Sequence, residues 1–531
     1  MSNISRRDFL KGAAAAGIGA VATSILGPTA FAEDAQEEGL GEATQTYAAD
    51  VVIVGAGAAG LQAALQLSRA GKKVIVLERA GSAYASNFAL CGGPTACETN
   101  VQAAENATVT LDTIYNHMYE FSRGGVNGRL LRKVLACTGT AINTMCDLGI
   151  EMFLMEDTYG VGFRGRHMFI SRGADRIDPL TNEIKANGGE FIFNTAVSEI
   201  IMKDGRAVGI KGKSKDDVIE VDAGAVLVST GGFLGGEEMQ REHFNTKVFP
   251  LGNTFSDGTG IRMVQSAGGV LDRNFAILGN ECGAVSPATT EWPFTPEYKN
   301  KNEHYGYWLF GGLYVDPAGE RFVNEGDVAT FPLAKGGEAI LRAGKAYVIM
   351  DDKYYQSVKK NGAYATLGEP KEWISGPGAD YYRPTEENAD AHLAQAIEEG
   401  WAFKADTIEE LAEYFGLSYL PATVKTYNEY CEAGKDDDFG KPSCFLYPVK
   451  EGPFYAFAYV PSAWGTNGGV KVDSHLRALD SENQFIPGLY VAGVDAGSMY
   501  STPYYDNEGS SVGLAVGSGV LAAKEIAEFL T

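Results

Sequence analysis

The pattern of apolar and small residues near the amino-terminal side of the chain predicts a strand, a turn, a helix and a second strand. Val51–Val54 is an apolar, β-branched run of the kind found in buried parallel strands. A glycine turn and a helix-forming stretch follow, and a second apolar run ends at Glu78. This order is typical of the units from which parallel sheets are built.

The turn after the first strand carries candidate chemistry. Gly55, Gly57 and Gly60 form a GxGxxG motif. The first glycine permits a tight turn, the second lets a pyrophosphate approach the backbone, and the third lets helix and strand pack closely. The helix amino terminus then offers free N–H groups to the pyrophosphate. Glu78, about twenty residues after the motif, is placed to bind an adenosine ribose. The pattern predicts a dinucleotide-binding domain.

The remaining elements follow from the same periodicity. The pattern predicts helices over 108–148 and 407–434, antiparallel strands over 191–197 and 208–228, a short strand over 488–493, and a last helix that begins near Ser510.

Aromatic residues interleaved with glycine and proline crowd residues 292–314, where no strand–helix rhythm remains. We interpret residues 274–406 as an inserted α+β domain that caps the cofactor. Residues 48–273 and 407–531 then form the two parts of a Rossmann-like domain, so the fold class is α/β. With 531 residues the chain is too long for one ordinary core, which agrees with this division.

Residues 1–32 read as an export signal. Arg6 and Arg7 form a twin-arginine motif, a small-residue apolar stretch follows, and residues 30–32 give an A-x-A cleavage site. The twin-arginine route exports folded proteins, so a cofactor can be loaded first, and the mature protein is expected in the periplasm or on the outer face of the cytoplasmic membrane. The apolar stretch is too short to span a bilayer, and no membrane-spanning segment is expected after signal removal. Residues 33–47 are polar and acidic and predict a flexible tether.

Composition excludes several classes of function. A formal net charge of -24 argues against nucleic-acid binding, which needs clustered lysine and arginine. The seven cysteines are scattered without CxxC or CxxCH spacing, which disfavours haem attachment and zinc or iron–sulfur sites. The six histidines show no paired spacing, and no metal site is expected.

With these elements in place, the chain resembles the flavoprotein family of soluble fumarate reductases, urocanate reductase and 3-ketosteroid dehydrogenases. The resemblance covers nearly the whole mature chain. Beyond the GxGxxG unit and Glu78, it rests on STGGF at 229–233, GGLYVDPAGERFVNE at 311–325, YNEYCEAGKDDDFGK at 427–441, GPFYAF at 452–457, and NGGVKVD followed by IPGLYVAG within 467–493. It implies FAD as the cofactor and a capping domain that closes over the isoalloxazine.

The resemblance and the glycine loops together give an expected set of cofactor residues. Along the nucleotide and the flavin loop these are Gly55, Gly57, Ala59, Gly60, Glu78, Arg79, Asn87, Gly92, Gly93, Val197, Thr230, Gly231 and Asp257. Gly493, Ser511 and Val512 are expected near the flavin end.

The chain departs from the fumarate-reductase pattern at three polarising positions. No arginine follows the RFVNE segment in residues 326–331, and residues 463–469 lack the family's histidine. Asn507 stands approximately where the dicarboxylate reductases carry a carboxylate-clamping arginine. Paired arginines are the natural clamp for a dianionic substrate. Fumarate or a similar diacid is therefore disfavoured as substrate.

The region before the last helix instead resembles the ketosteroid branch. There a tyrosine hydroxyl and a glycine N–H, four residues apart, bind a ketone oxygen; Tyr505 and Gly509 match this spacing. Two such donors act as an oxyanion hole for the enolate that forms as hydride moves. A second tyrosine is expected as proton donor, and Tyr307, Tyr314 and Tyr500 remain open as candidates.

The expected reaction is hydride exchange between flavin N5 and a carbon of a conjugated C=C bond. We favour reduction of a small neutral acceptor, either an enone, steroid-like ones included, or an aryl alkene, in anaerobic respiration. The sequence shows no second GxGxxG motif that could bind a nicotinamide, and no haem attachment motif. Electrons are therefore expected from a separate cytochrome or a quinone. Two alternatives stay open: a ketosteroid-type dehydrogenase that introduces a double bond, and a non-catalytic flavin electron carrier.

Overall fold

The computed structural model describes residues 40–157, 160–244, 246–278, 282–283, 285–286, 294, 298, 312–329, 334–365, 386–504 and 506–531. The strands are β1 Gln45–Val54, β2 Val74–Leu77, β3 Met152–Leu154, β4 His167–Phe169, β5 Glu190–Ile192, β6 Ala196–Lys203, β7 Arg206–Lys213, β8 Val218–Val228, β9 Phe249–Pro250, β10 Ala276–Ile277, β11 Cys282–Gly283, β12 Leu313–Val315, β13 Ala346–Asp351, β14 Ala402–Ala405, β15 Phe454–Ala463, β16 Thr466–Asn467, β17 Arg477–Leu479 and β18 Phe485–Val491. The α-helices are α1 Ala58–Arg69, α2 Asn100–Ala104, α3 Leu111–Phe121, α4 Gly128–Ala136, α5 Thr138–Asp147, α6 Ala174–Ala186, α7 Glu237–His243, α8 Thr259–Ser266, α9 Ala334–Ala343, α10 Asp352–Ala365, α11 Ala389–Glu398, α12 Ile408–Phe415, α13 Leu420–Ala433 and α14 Ser510–Phe529.

A mixed sheet with a parallel centre forms the first layer. Its main path runs β17-β18-β8-β1-β2-β5, and β7 pairs with β8 and β6. β1 lies parallel to both β2 and β8, and β18 lies parallel to β8. Val51 to Val54 are buried, as are all four residues of β2, which is expected of central parallel strands. This sheet confirms the Rossmann-like α/β class expected from the sequence.

The last helix, α14, packs into the centre of this layer through small residues. A Cβ at Gly519 would lie 2.3 Å from the Ala59 carbonyl oxygen of α1, and one at Gly517 would lie 2.6 Å from the Val134 carbonyl oxygen of α4. A Cβ at Gly513 would lie 2.0 Å from the carbonyl oxygen of Thr95. Because larger side chains would collide with backbone, the glycines set how closely α14 approaches. The helix begins at Ser510, as the sequence predicts.

A second sheet has its own hydrophobic core. β15 pairs antiparallel with β11, β13 and β14 and parallel with β9, and β12 pairs with β13. Large side chains fill the core between this sheet and its helices, among them Tyr314, Tyr355, Trp401, Tyr427 and Phe457. The aromatic residues of the predicted cap that the structure describes thus serve mainly as core.

One boundary differs from the sequence interpretation, and the structure bears on a second. β1 begins at Gln45, inside the predicted tether of 33–47, because residues 45–47 pair with residues 219–221 of β8. The second core also includes residues beyond 406, in α12, α13 and β15. The division of the chain at 273 and 406 stays a prediction.

A buried ion cluster joins two loops of the second core. The Arg321 guanidinium donates to Glu325 at 2.9 and 3.1 Å and to Asp436 at 2.9 and 3.0 Å. The Lys441 ammonium lies 3.4 Å from Glu325 and donates to the Tyr427 hydroxyl at 3.0 Å. The side chains of Glu325, Asp436 and Lys441 are fully buried. Two cations and two anions balance, so the cluster is neutral as a whole.

Burial opposes ionisation of Asp436, but the hydrogen bonds from Arg321 and from backbone N–H groups prevail and lower the pKa of its carboxyl to about 2. An unfolded aspartate has a pKa of about 3.9. Because the folded pKa is the lower one, Asp436 stabilises the fold above the unfolded value, and this contribution is lost as the pH falls through about 2.

We therefore expect Asp436→Asn to lower the free energy of unfolding at pH 7 by about 3–5 kcal/mol, because it leaves the buried Arg321 charge partly unpaired. The difference from wild type should shrink between pH 5 and pH 2. Urea unfolding followed by circular dichroism, repeated across this pH range, measures both effects.

Asp437→Asn is the matched control, since Asp437 pairs with Lys435 on the surface, where its side chain is 60% exposed. Exposed ion pairs contribute little to stability, so this variant should behave like wild type. Equal losses in the two variants at pH 7 would contradict the assignment of the ion cluster as a stabilising element.

Candidate FAD and acceptor site

Three glycine turns meet at the carboxyl-terminal edge of the parallel strands. The first contains the GxGxxG motif. Gly55 has φ +100°, and a Cβ there would lie 2.4 Å from the Ser229 carbonyl oxygen. A Cβ at Gly60 would lie 2.0 Å from the Gly55 oxygen, so α1 packs directly on the turn. A Cβ at Gly57 would meet no atom within 4 Å. The open side of Gly57 is where the motif places a pyrophosphate.

Glu78 follows β2 at the next strand end, beside this turn. Its carboxylate accepts hydrogen bonds from the backbone N–H groups of Ala56 and Ala80, both at 2.9 Å. Its own backbone oxygen accepts from Thr195 N at 3.0 Å, which brings the start of β6 and the buried Val197 alongside. The two N–H groups fix the carboxylate at the edge of the strands, and its contact with a ribose stays a prediction.

Arg79 and Asp257 form an ion pair next to Glu78, with a distance of 2.7 Å. Arg79 also donates to the Phe255 carbonyl oxygen at 2.7 Å. Burial opposes ionisation of Asp257, but Arg79 and hydrogen bonds from Thr259 outweigh it and lower the pKa of the carboxyl. The structure thus brings these two predicted cofactor residues together and ties β2 to the turn before α8.

The second turn, residues 229–233 after β8, and the third turn, residues 493–495 after β18, are joined by Asp495. The sequence analysis did not single out this residue. Its carboxylate accepts from the Thr230 backbone N–H, from the Thr230 hydroxyl at 2.8 Å and from Gly232 N at 2.7 Å. Asp495 is fully buried, and burial raises the pKa of its carboxyl. Gly231, with φ +96°, lies within this clamp. A carboxylate two residues after the IPGLYVAG strand was the available sequence signal.

Asn467 is a second residue that the sequence reasoning missed. Its side chain is 1% exposed, yet among the described residues neither its amide oxygen nor its nitrogen has a hydrogen-bond partner. The neighbouring Thr466 hydroxyl accepts from Phe233 N at 2.9 Å, which places Asn467 beside the second turn. A buried amide without partners is costly, and a polar ligand at this edge relieves that cost. The NGGVKVD motif already contained this asparagine.

The loop expected at the flavin joins three segments. The Asn87 amide donates to the Trp464 carbonyl oxygen and accepts from Asn253 N at 2.9 Å. A Cβ at Gly93 would lie 1.8 Å from the His167 carbonyl oxygen, so only glycine fits there. Gly92 lies under the guanidinium of Arg166. The Asn87 side chain thus holds loops together, and its direct contact with the flavin stays a prediction.

Helix α14 begins against the loop that contains Gly93. Gly509, with φ +77°, precedes it, and its carbonyl oxygen accepts from Thr95 N at 2.9 Å. Ser511 N donates to the Tyr504 hydroxyl oxygen at 3.1 Å. The Ser510 hydroxyl lies 3.3 Å from the same oxygen and donates to Asp506 at 2.6 Å. Burial raises the pKa values of both Tyr504 and Asp506.

Other predicted residues lie around this helix start. Gly493, with φ +67°, donates its N–H to the Ser518 hydroxyl at 2.9 Å. Val512 is partly exposed in the first turn of α14. Tyr500 is buried near Ser511 and Tyr504, and burial raises the pKa of its phenol well above its usual value. The structure therefore gathers the residues expected near the flavin end.

Of the tyrosines considered for catalysis, two cannot be placed, since Tyr505 and Tyr307 lie outside the described residues. Tyr314 is fully buried on β12 in the second core, and its backbone N–H donates to Glu325 at 3.3 Å. This position is that of a core residue, and Tyr500 is the described candidate that lies at the helix start.

The residues present fit an FAD molecule. An open glycine turn, a fixed carboxylate at Glu78 and the unpartnered Asn467 amide follow one another along a single edge. In the part of the chain that the structure describes, no cluster of histidine, cysteine, aspartate and glutamate could hold a metal ion. No helix within those residues is both long and apolar enough to cross a membrane.

Comparison with known proteins supports FAD as the cofactor. Residues 50–512 match a family model described as an FAD binding domain, and residues 3–23 match the twin-arginine translocation signal. The chain is 28% identical over 499 residues to the vinyl phenol reductase of Lactiplantibacillus plantarum, a match that covers 90% of this chain and 96% of that protein.

Two solved structures share the fold. An open flavocytochrome c3 fumarate reductase superposes with a TM-score of 0.66 at 21% identity, covering 94% of this chain and 81% of that one. The 3-ketosteroid Δ1-dehydrogenase of Sterolibacterium denitrificans superposes with a TM-score of 0.69 at 18% identity, covering 91% of this chain and 99% of that one.

The twin-arginine signal directs export across the cytoplasmic membrane, so the mature protein acts on its outer side. The chain belongs to the family described as an FAD binding domain, and it is an exported, FAD-dependent oxidoreductase.

Proposed function

We propose that this oxidoreductase works as a reductase that saturates the conjugated C=C bond of a small neutral acceptor. Enones, steroid-like ones included, and aryl alkenes are the acceptor classes. Bound FAD supplies the hydride chemistry at N5, and the protein orients and polarises the acceptor. The matched vinyl phenol reductase supports an aryl alkene as one member of this class.

The observation that carries the proposal is the neutral side chain at position 507. Asn507 is 6% exposed at the start of α14, and its amide donates to Asp506 at 3.3 Å. A dicarboxylate substrate would require a cation where this amide lies. A neutral amide there suits an acceptor without a carboxylate, because no substrate charge needs a partner.

Polarisation of the acceptor is assigned to the start of α14. The Gly509 N–H and the Tyr505 hydroxyl are proposed to donate to an oxygen that is conjugated with the reacting carbon. The positive end of the α14 dipole favours negative charge at this point. Donors that are fixed before the reaction stabilise the charge as it develops, without the reorganisation that water requires. A buried phenol such as Tyr500 is proposed to supply the proton.

Electrons are proposed to come from a separate cytochrome or a quinone, in anaerobic respiration. An exported enzyme has no access to cytoplasmic NADH. Two alternatives remain: a dehydrogenase that introduces a double bond into a ketosteroid, and a protein that only carries electrons. Each alternative predicts a different half-reaction of the flavin, so one experiment distinguishes them.

The test of the acceptor class is anaerobic. The mature, FAD-loaded protein is reduced, and flavin reoxidation is followed after addition of fumarate, 4-vinylphenol or a 3-keto-4-ene steroid, one at a time. We expect reoxidation by a neutral acceptor and none by fumarate. Fast reoxidation by fumarate would refute the proposal. Bleaching of oxidised enzyme by a saturated ketosteroid would show the dehydrogenase direction, and inertness to all these compounds would favour the electron carrier.

Tyr505→Phe tests the polarising pair. Loss of one oxyanion donor lowers the rate by about 10²–10³-fold in other enzymes, and we expect a decrease of this size in the reoxidation rate with a neutral acceptor. FAD content and thermal stability should stay near those of wild type, because the change removes one hydroxyl.

Tyr504→Phe is the matched control from the adjacent position. Its hydroxyl is engaged by Ser511 N and lies beside Ser510, so its removal should chiefly lower stability. If Tyr504→Phe reduced the rate by this factor while Tyr505→Phe reacted normally, the donor would be Tyr504 and the assignment to Tyr505 would be wrong.

A further inference from the structure

An ion pair lies at the proposed acceptor end of the site. The Arg166 guanidinium contacts the Glu508 carboxylate, and their side chains are 19% and 18% exposed. Arg166 also donates through Nε to the Met168 sulfur at 3.2 Å. Because both charges are mostly withdrawn from water, each depends on the other for compensation more than a surface pair does.

The pair spans the two loops that converge on the start of α14. A Cβ at Gly92 would lie 2.7 Å from an Arg166 Nη atom, so the guanidinium lies over the loop expected at the flavin. Glu508 directly precedes Gly509, and its backbone oxygen accepts from the Thr95 hydroxyl. A cation is thus paired with the residue that directly precedes Gly509, and a substrate carboxylate at this helix start would benefit from it.

Other charged and titratable groups lie near the start of α14, on the elements that pack against it. His117 on α3 contacts the Asp506 backbone oxygen at 3.0 Å, and Asp506 bonds to Ser510. Tyr504 adds a neutral phenol. Asp506 lies next to this pair, and Glu508 already compensates the Arg166 charge before a substrate carboxylate approaches.

We propose that Glu508 is a specificity-determining residue that binds Arg166 and thereby excludes carboxylated acceptors. The inference rests on the proposed function and names the charge class of its substrate. A carboxylate could reach Arg166 only by displacing Glu508, which would leave a buried anion without its partner. Discrimination then comes from a repulsive group as well as from fitting contacts.

The test compares two probes that differ by one carboxylate, 4-vinylphenol and 4-hydroxycinnamate. Binding to the oxidised, FAD-loaded mature protein is measured by the change in flavin absorbance, which requires no turnover. Wild type should favour the neutral probe. In Glu508→Gln, which keeps the shape and removes the charge, the ratio of the two affinities should shift about 10–100-fold toward the carboxylate, the range for a hydrogen bond to a charged group.

Glu508→Gln combined with Arg166→Gln is the control, because the gain depends on Arg166. The double variant should lose the shift. An unchanged ratio in Glu508→Gln would overturn the proposal, and so would a shift that persists in the double variant. If Glu508→Gln did not retain FAD, Glu508→Ala would replace it with the same expected result. Arg166→Gln alone should shift the ratio of the two affinities toward the neutral probe.

This experiment is separate from the turnover test. The proposed function fails if no neutral acceptor reoxidises the flavin, whatever the probes do. The inference on Glu508 fails if the affinity ratio does not respond to the variants, even when a neutral acceptor is reduced.

Discussion

The site depends on the parallel pairing of β1, β8 and β18, which ends three strands at one edge. Each strand runs into a glycine turn, and Asp495 binds the second turn to the third through Thr230 and Gly232. A buried carboxyl group is costly unless it is fully hydrogen-bonded. Its donors are backbone and hydroxyl groups of the turn itself, so the cost of burial is offset only when the turn has its correct shape. The cofactor edge is thus coupled to the fold of the whole first layer.

The second core shows that a motif of the family can report fold rather than substrate. The GERFVNE segment contributed to the resemblance, and its Arg321 and Glu325 lie in a neutral, buried ion cluster with Asp436 and Lys441. These charges compensate one another, and Arg321 lies away from solvent with a 4% exposed side chain. Their presence therefore gives no information on the charge of the acceptor. That information comes from the start of α14, where the chain departs from the fumarate pattern.

Local pattern was sufficient for much of the fold. The strand–turn–helix–strand unit, the antiparallel pairing of β7 with β8 and the beginning of α14 all depend on neighbours in sequence, so periodicity and glycine spacing predict them. Glu78 and the GxGxxG turn followed for the same reason. The antiparallel strand predicted over 191–197 was wrong, because β5 pairs parallel with β2 and β6 begins only at Ala196. The pairing of β15 with β13 joins segments about a hundred residues apart and has no local signal. The same holds for Asp495 with Thr230 and for Arg166 with Glu508, because contact between distant residues is decided by packing and not by pattern.

The start of α14 combines two opposing electrostatic effects. The helix dipole and the free N–H groups favour negative charge, which a reacting oxygen acquires only during the reaction. Glu508 opposes a permanent negative charge at the same point, and Arg166 is already paired with it. A neutral acceptor carries no charge when it binds, so it avoids the repulsion from Glu508 in the ground state. It becomes anionic only as hydride arrives, and the helix dipole and the N–H groups then stabilise it at the transition state. This difference between the two states is what catalysis requires.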